Sequence, residues 1–257
     1  MLKLALFNVI LIGLCVAGAV LCKKFARTDK AKRKILMIVS LSIVACHYSS
    51  LLFHLIADGT VWDHLSGNPN LLLPIYPCNV VMWCCVILCF VDFRSRLFAF
   101  LTDYIFLFGL PSALVGMFAN VDFVRNPSLL NYDVTTGIIA HAIMLFNVIL
   151  LPVFGFYKIN FTKNLIHILW SIVGMFLIGC YCNIVCRVIG SESYAYQVNS
   201  MFLLHSPFEN IPFLKYPLIA GVAAVAYAII LFSGEKLFCK NKTKTFSDSK
   251  KSRRKVS

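Results

Sequence analysis

A chain of 257 residues that is 60% hydrophobic, with a mean hydropathy of +0.81, is far too apolar for a soluble domain. Its net charge of +13 does not point to nucleic acid, because the basic residues sit beside apolar runs, where they act first as an orientation signal. The 11 cysteines fall mostly inside those runs, where Cys is a small apolar residue, and they form neither a disulfide framework nor a zinc spacing.

The first run, Leu4–Cys22, exceeds a signal-peptide core and ends without an A-x-A site, which predicts a retained helix. A loop with Lys23, Lys24, Arg27, Lys30, Lys32, Arg33 and Lys34 follows. The second run, Ile35–Ala57, carries His47 and His54. The third, Leu71–Val91, contains Pro74, Pro77, Cys78 and Asn79. Its prolines either merely kink a membrane helix or open it where polar chemistry happens, and the residues leave both readings open. Leu97–Ala119 carries Asp103, Gly109 and Pro111; Val134–Phe156 carries His141, Asn147 and Pro152. Leu165–Ile189 holds His167, Asn183 and Arg187, and Tyr216–Gly234 is rich in the small residues that let helices approach closely.

Each run is near the ~20 residues that cross a ~30 Å hydrocarbon core, so the expected fold is all-α: a polytopic membrane protein of seven transmembrane helices. Every second gap, with the tail, carries 20 of the 24 Lys and Arg. That asymmetry and the odd helix number predict an outside N-terminus and a cytoplasmic C-terminus. Residues 1–235 then form one membrane domain, and 236–257 a basic, disordered cytoplasmic tail. Anionic headgroups are natural partners for the basic loop and tail. The expected location is the cell membrane, multi-pass, most simply a bacterial cytoplasmic membrane. The apolar, Pro- and aromatic-containing stretch 190–215 reads as a lid folding back on the bundle or lying at the interface.

Polar side chains within spans mark functional candidates, since lipid offers them no partner. Cys78 and His141 each lie seven residues into runs read as entering from outside, about 10 Å below that boundary at 1.5 Å per residue. His54, Asn183 and Arg187 can reach a similar layer, whereas Asp103 and His167 fall nearer the cytoplasmic end. A thiol and an imidazole at one depth are the minimum for covalent acyl chemistry, the His taking the thiol proton. Arg187, Asn183 or helix-end amides freed by the Pro77 break could hold an oxyanion. The same residues allow a plainer reading, in which the His bonds a carbonyl and Arg187 snorkels to headgroups. No nucleotide, zinc-protease or nucleophile-elbow motif occurs, and neither cofactor nor metal is expected.

The segment L-L-L-P-I-Y-P-C-N-V-V-M-W, residues 71–83, resembles the L-P-x-H-x-C segment of the bacterial YwaF-like integral membrane proteins and the N-P-C-H segment of the transmembrane protein 164 family. Residues 104–120 are similar to that family's fourth helix and following loop. Residues 137–152 are similar to its helix with a single His, and Ser206–Phe208 to its late Pro-aromatic stretch. The eukaryotic relatives are regarded as acyltransferases that remodel ether phospholipids through a catalytic Cys, and are related to membrane hydrolases with a hydroxyl nucleophile and a His. The resemblance places the catalytic Cys on Cys78 and the His on His141. The His beside the Cys in both families is replaced here by Tyr76 or Asn79. The expected function is a lipid acyltransferase, or related lipid hydrolase, with Cys78 as nucleophile, His141 as general base and His54, Asn79, Asn147, Asn183 and Arg187 as supporting polar groups. The alternative is a non-catalytic protein that binds or transports a lipid or small amphiphile.

Overall fold

The computed structural model describes residues 2–57, 59, 71–119, 123, 127–189, 198–204, 212–213 and 215–253, with last-helix side chains described through Lys236. Among them are seven α-helices and no strand: α1 Leu2–Phe25, α2 Asp29–Ala57, α3 Pro77–Leu88, α4 Arg96–Phe118, α5 Tyr132–Val153, α6 Phe161–Ile189 and α7 Tyr216–Arg253. Six are long and apolar enough to cross a bilayer; α3 is not. The chain is a multi-pass membrane protein.

The third run therefore departs from the expected full-length helix. Pro77 is the first residue of α3, where its missing N–H costs nothing and its fixed φ suits a helix start. Tyr76 before it is extended, with φ −113° and ψ 156°, as a residue preceding proline prefers. Pro74 keeps the chain from being helical further back, so the run is interrupted over residues 72–76 rather than merely kinked. At the other end of the chain, α7 spans Tyr216–Arg253, past Gly234 where the apolar run ends.

The helix ends alternate between a basic face, at residues 26–28, 89–95 and 154–160, and an opposite face. At the basic face Arg33 donates to the Val91 carbonyl at 2.9 Å and stacks on Phe93, while Lys32 reaches the Phe154 carbonyl at 3.3 Å. These contacts tie the start of α2 to the turns after α3 and α5. The core is centred on α5, which packs against α1, α2 and α4, and on the α3–α4 contact. Much of the outward surface of α1, α6 and α7 is large apolar side chains, as lipid-facing helices require.

Two glycines fix the central packing. A Cβ on Gly109 of α4 would lie 2.8 Å from Val148 Cγ2 and 3.1 Å from Val81 Cγ1, so α3, α4 and α5 converge there. A Cβ on Gly116, two turns further along α4, would lie 2.1 Å from His141 Cδ2. Because α5 runs antiparallel to α4, Gly109 opposite Val148 and Gly116 opposite His141 describe one close seam.

Candidate functional site

Cys78 is the second residue of α3, in the first turn, where backbone N–H groups have no intrahelical partner. The twelve residues of α3 span about 18 Å, so its start lies about 12 Å short of the far boundary of a ~30 Å core. A helix N-terminus, with its outward-pointing N–H groups, is thus buried at membrane depth beside a thiol. The backbone ahead of it is fully committed. Tyr76 N–H donates to Asn79 Oδ1 at 3.3 Å, and the Asn79 N–H returns a bond to the Tyr76 carbonyl at 3.0 Å. Asn79, 5% exposed, is therefore a reciprocal helix cap.

The Ile75 carbonyl is held by a strap, residues 198–204, part of the stretch expected to fold back as a lid. Ser200 Oγ donates to it at 2.9 Å and Met201 N–H at 3.0 Å. Asn183 of α6 holds the strap in turn: Ser200 N–H donates to its Oδ1 at 3.0 Å, and its Nδ2 donates to the Ser200 carbonyl at 3.3 Å. The strap approaches so closely that a Cβ on Gly179 would meet Leu203 Cδ1 at 2.6 Å. Met201 and Phe202 occupy the left-handed region, with φ 53° and 56°, which β-carbon-bearing residues adopt only when their surroundings compel it. Val198, Ser200 and Met201 are buried.

His141 lies on α5. Its Nδ1 is 2.7 Å from the Gly137 carbonyl, one turn back. A carbonyl only accepts, so Nδ1 carries the proton and Nε2 keeps its lone pair. The ring fills the space that Gly116 leaves open. His141 and Cys78 are not hydrogen-bonded to each other. From the shared Val81–Gly109–Val148 layer, Cys78 lies one turn out and His141 two, so the imidazole sits about 6 Å nearer the non-basic face.

The other candidates lie elsewhere. His54 Nε2 pairs with Asp133 Oδ2 at 3.1 Å, in an open cavity of about 560 Å³ at the end of α2 and start of α5. Asn147 donates to Ser40 Oγ at 2.8 Å, and Ser40 donates to the Cys85 carbonyl at 3.1 Å, joining α5, α2 and α3 below the Cys78 layer. Arg187 is exposed near the end of α6, and Asn183 is spent on the strap. Ser206–Phe208 lies outside the described residues.

The family model of the TMEM164 family matches residues 2–234, nearly the whole chain. The chain belongs to the TMEM164 family. No curated protein and no solved structure matches it.

Two features of this TMEM164-family protein escape a reading by single positions. Asp103, 1% exposed, bonds His167 Nδ1 at 2.6 Å and Lys163 Nζ at 3.1 Å near the basic face. These close His–acid contacts, here and at His54, link residues distant in sequence, so no local spacing announces them. Burial, and then the nearby Asp103 carboxylate, push the Tyr157 phenol above its ordinary range. Among the described residues no group of three or more His, Cys, Asp or Glu is arranged to hold a metal ion. The second feature is Tyr104 of α4, 4% exposed, whose hydroxyl has no hydrogen-bond partner among the described residues.

Proposed function

We propose that this protein is a lipid acyltransferase that carries the acyl group as a thioester on Cys78. The observation that carries this reading is that α3 starts at Pro77, inside the apolar run, which puts Cys78 in the first turn of a helix. Apolar burial disfavours a thiolate and helix-end amides favour one, so a base within reach decides reactivity. His141 is that base, its tautomer set by the Gly137 carbonyl and its Nε2 left open as acceptor.

Nε2 takes the thiol proton as sulfur attacks the ester carbonyl of a donor lipid, and the carbonyl π pair moves onto oxygen. Collapse breaks the C–O bond to the donor glycerol, whose oxygen receives the proton from the imidazolium, leaving a thioester and a lysolipid. A second lysolipid hydroxyl then repeats the sequence in reverse, giving its proton to Nε2 and expelling the thiol. The ~6 Å axial offset between the two groups is bridged by the lipid hydroxyl or one water, or closes when substrate seats between them. The site opens toward the face opposite the basic one, which charge asymmetry assigns to the outside, while the basic face engages anionic headgroups.

The test uses protein in nanodiscs with a phospholipid donor labelled in one acyl chain and an unlabelled lysophospholipid acceptor. Labelled diacyl product and a hydroxylamine-sensitive acyl adduct on the Cys78 peptide are expected. Cys78→Ala should lose both. Undiminished transfer without this thiol rules the Cys78 thioester out, and absence of transfer by the wild type leaves binding or transport as the reading. Label appearing only as free fatty acid makes water the acceptor and the protein a hydrolase.

A further inference from the structure

Because α3 has only twelve residues, it leaves about 12 Å of membrane depth above its start for other parts of the chain to fill. The strap enters that space beside Ile75. Its Met201 and Leu203 reach Gly179, ten residues before the end of α6, so it descends about 15 Å below that helix end. Val198 packs with Ile75 and Cys186, and Met201, 1% exposed, belongs to the main core. Non-helical backbone at such depth persists only where protein buries it or where it lines a cavity.

The strap holds together as one piece. The Phe202 N–H donates to the Asn199 carbonyl at 3.1 Å, the Leu203 N–H to the Ser200 carbonyl at 3.2 Å, and the Leu204 N–H to Asn199 Oδ1 at 2.9 Å. Its bonds to the bundle centre on two residues, Ile75 and Asn183. Withdrawal therefore keeps the inner bonds, and the left-handed backbone at Met201 and Phe202 relaxes with it, which offsets part of the loss. The slot left behind is apolar where Met201 and Leu203 lay against Gly179. Its exposed polar groups are the Ile75 carbonyl and the Asn183 carboxamide, an acceptor and a mixed donor–acceptor. An acyl chain with a neutral ester or hydroxyl at its head matches that pattern, and a charged headgroup does not.

We propose that residues 198–204 are a plug, latched by Asn183, that withdraws so that an acyl chain takes its place beside the start of α3. The inference rests on the Cys78 reading above, since the slot leads to that thiol. In the latched state the strap fixes the Ile75 carbonyl and shields the approach from the non-basic face. In the released state the lipid replaces the apolar contacts of Met201 and Leu203, so its own binding drives the opening.

The experiment locks the strap and measures access to the thiol in full-length protein in nanodiscs. A Cβ on Gly179 would lie 3.0 Å from Met201 Cβ, near the roughly 3.5–4.5 Å of a disulfide, so Gly179→Cys with Met201→Cys is bridged by oxidation with diamide. The probe is N-octylmaleimide, an apolar chain that alkylates a thiol without acyl chemistry, and its adduct on the Cys78 peptide is followed by mass spectrometry. Bridged protein should react about tenfold more slowly, or less, than the same protein after reduction. Gly179→Ala places a methyl group 2.6 Å from Leu203 Cδ1, displaces the strap and should raise the rate roughly tenfold, while Cys85, 0% exposed, stays unmodified. Equal rates in the bridged and reduced states overturn the inference, because the chain then reaches Cys78 past a fixed strap. Failure to bridge overturns it too, by denying the strap its seat at Gly179. If Gly179→Ala exposes Cys85 as well, the bundle itself has loosened and the bridged pair decides. The labelled-lipid assay separates this inference from the thioester: bridge-dependent alkylation without acyl transfer keeps the plug and removes the thioester, and transfer unaffected by the bridge does the reverse.

Discussion

Gly116→Ala probes the seam that holds the His141 imidazole. The new methyl carbon would sit 2.1 Å from His141 Cδ2, 2.2 Å from Nε2 and 2.5 Å from Cγ. Carbon contacts settle near 3.5–4.0 Å, so the ring must retreat by roughly 1.5 Å, and its Nδ1 bond to Gly137 stretches with it. Overpacking of this kind costs about 1–3 kcal/mol, and a weakened hydrogen bond adds about 1 kcal/mol. Replacing glycine in a helix returns at most about 1 kcal/mol, so a net loss of about 1–3 kcal/mol is expected. Equilibrium unfolding in micelles would measure it, with transfer activity assayed alongside. The decisive comparison repeats the substitution in a His141→Ala background, where the obstructing ring is gone and the change should be neutral or mildly stabilising. If Gly116→Ala costs the same with and without the imidazole, the ring does not occupy that gap and the reasoning fails. Gly174→Ala on α6, where a Cβ meets nothing within 4 Å, is the matched control.

The strap offers a second test. Asn183→Leu strands the buried N–H of Ser200, whose carbonyl keeps its bond from the Leu203 N–H, and should cost about 1–3 kcal/mol, with faster hydrogen exchange at the Met201 amide. Ser200→Ala should cost only about 1 kcal/mol, because Ile75 keeps its bond from Met201; unchanged exchange at Met201 in both variants would separate the strap from Asn183. At the basic face, Asp103→Leu removes the acceptor shared by His167 and Lys163. Lys163 is 43% exposed and can turn to water, so the loss is confined to about 2 kcal/mol in thermal unfolding. Full stability in that variant would show that the ionic cluster does not hold α4 against α6.

A chain this apolar has few ways to fold, which is why composition and run length alone determined an all-helical, multi-pass membrane protein. The charge asymmetry of the loops likewise follows from the chemistry of single segments. Pro77 and Cys78 were legible together as a break beside a thiol, but Pro111 and Pro152 lie inside helices, so only the fold decided which proline begins one. The long third span was misjudged, since hydropathy sees five apolar residues from Leu71 to Tyr76 and not the Pro74 and Pro77 between which no helix forms. Where side chains point was beyond the sequence. Depth counting placed Cys78 and His141 in one layer, but only the meeting of Val81, Gly109 and Val148 relates their heights. Asn79 and Asn183 looked like site groups, and the fold spends both on backbone. Tyr104 looked like any aromatic in an apolar helix until its hydroxyl was seen to lack a partner. A hydrogen bond between residues 64 or 125 positions apart has no local signature; it exists only once the helices have chosen their neighbours.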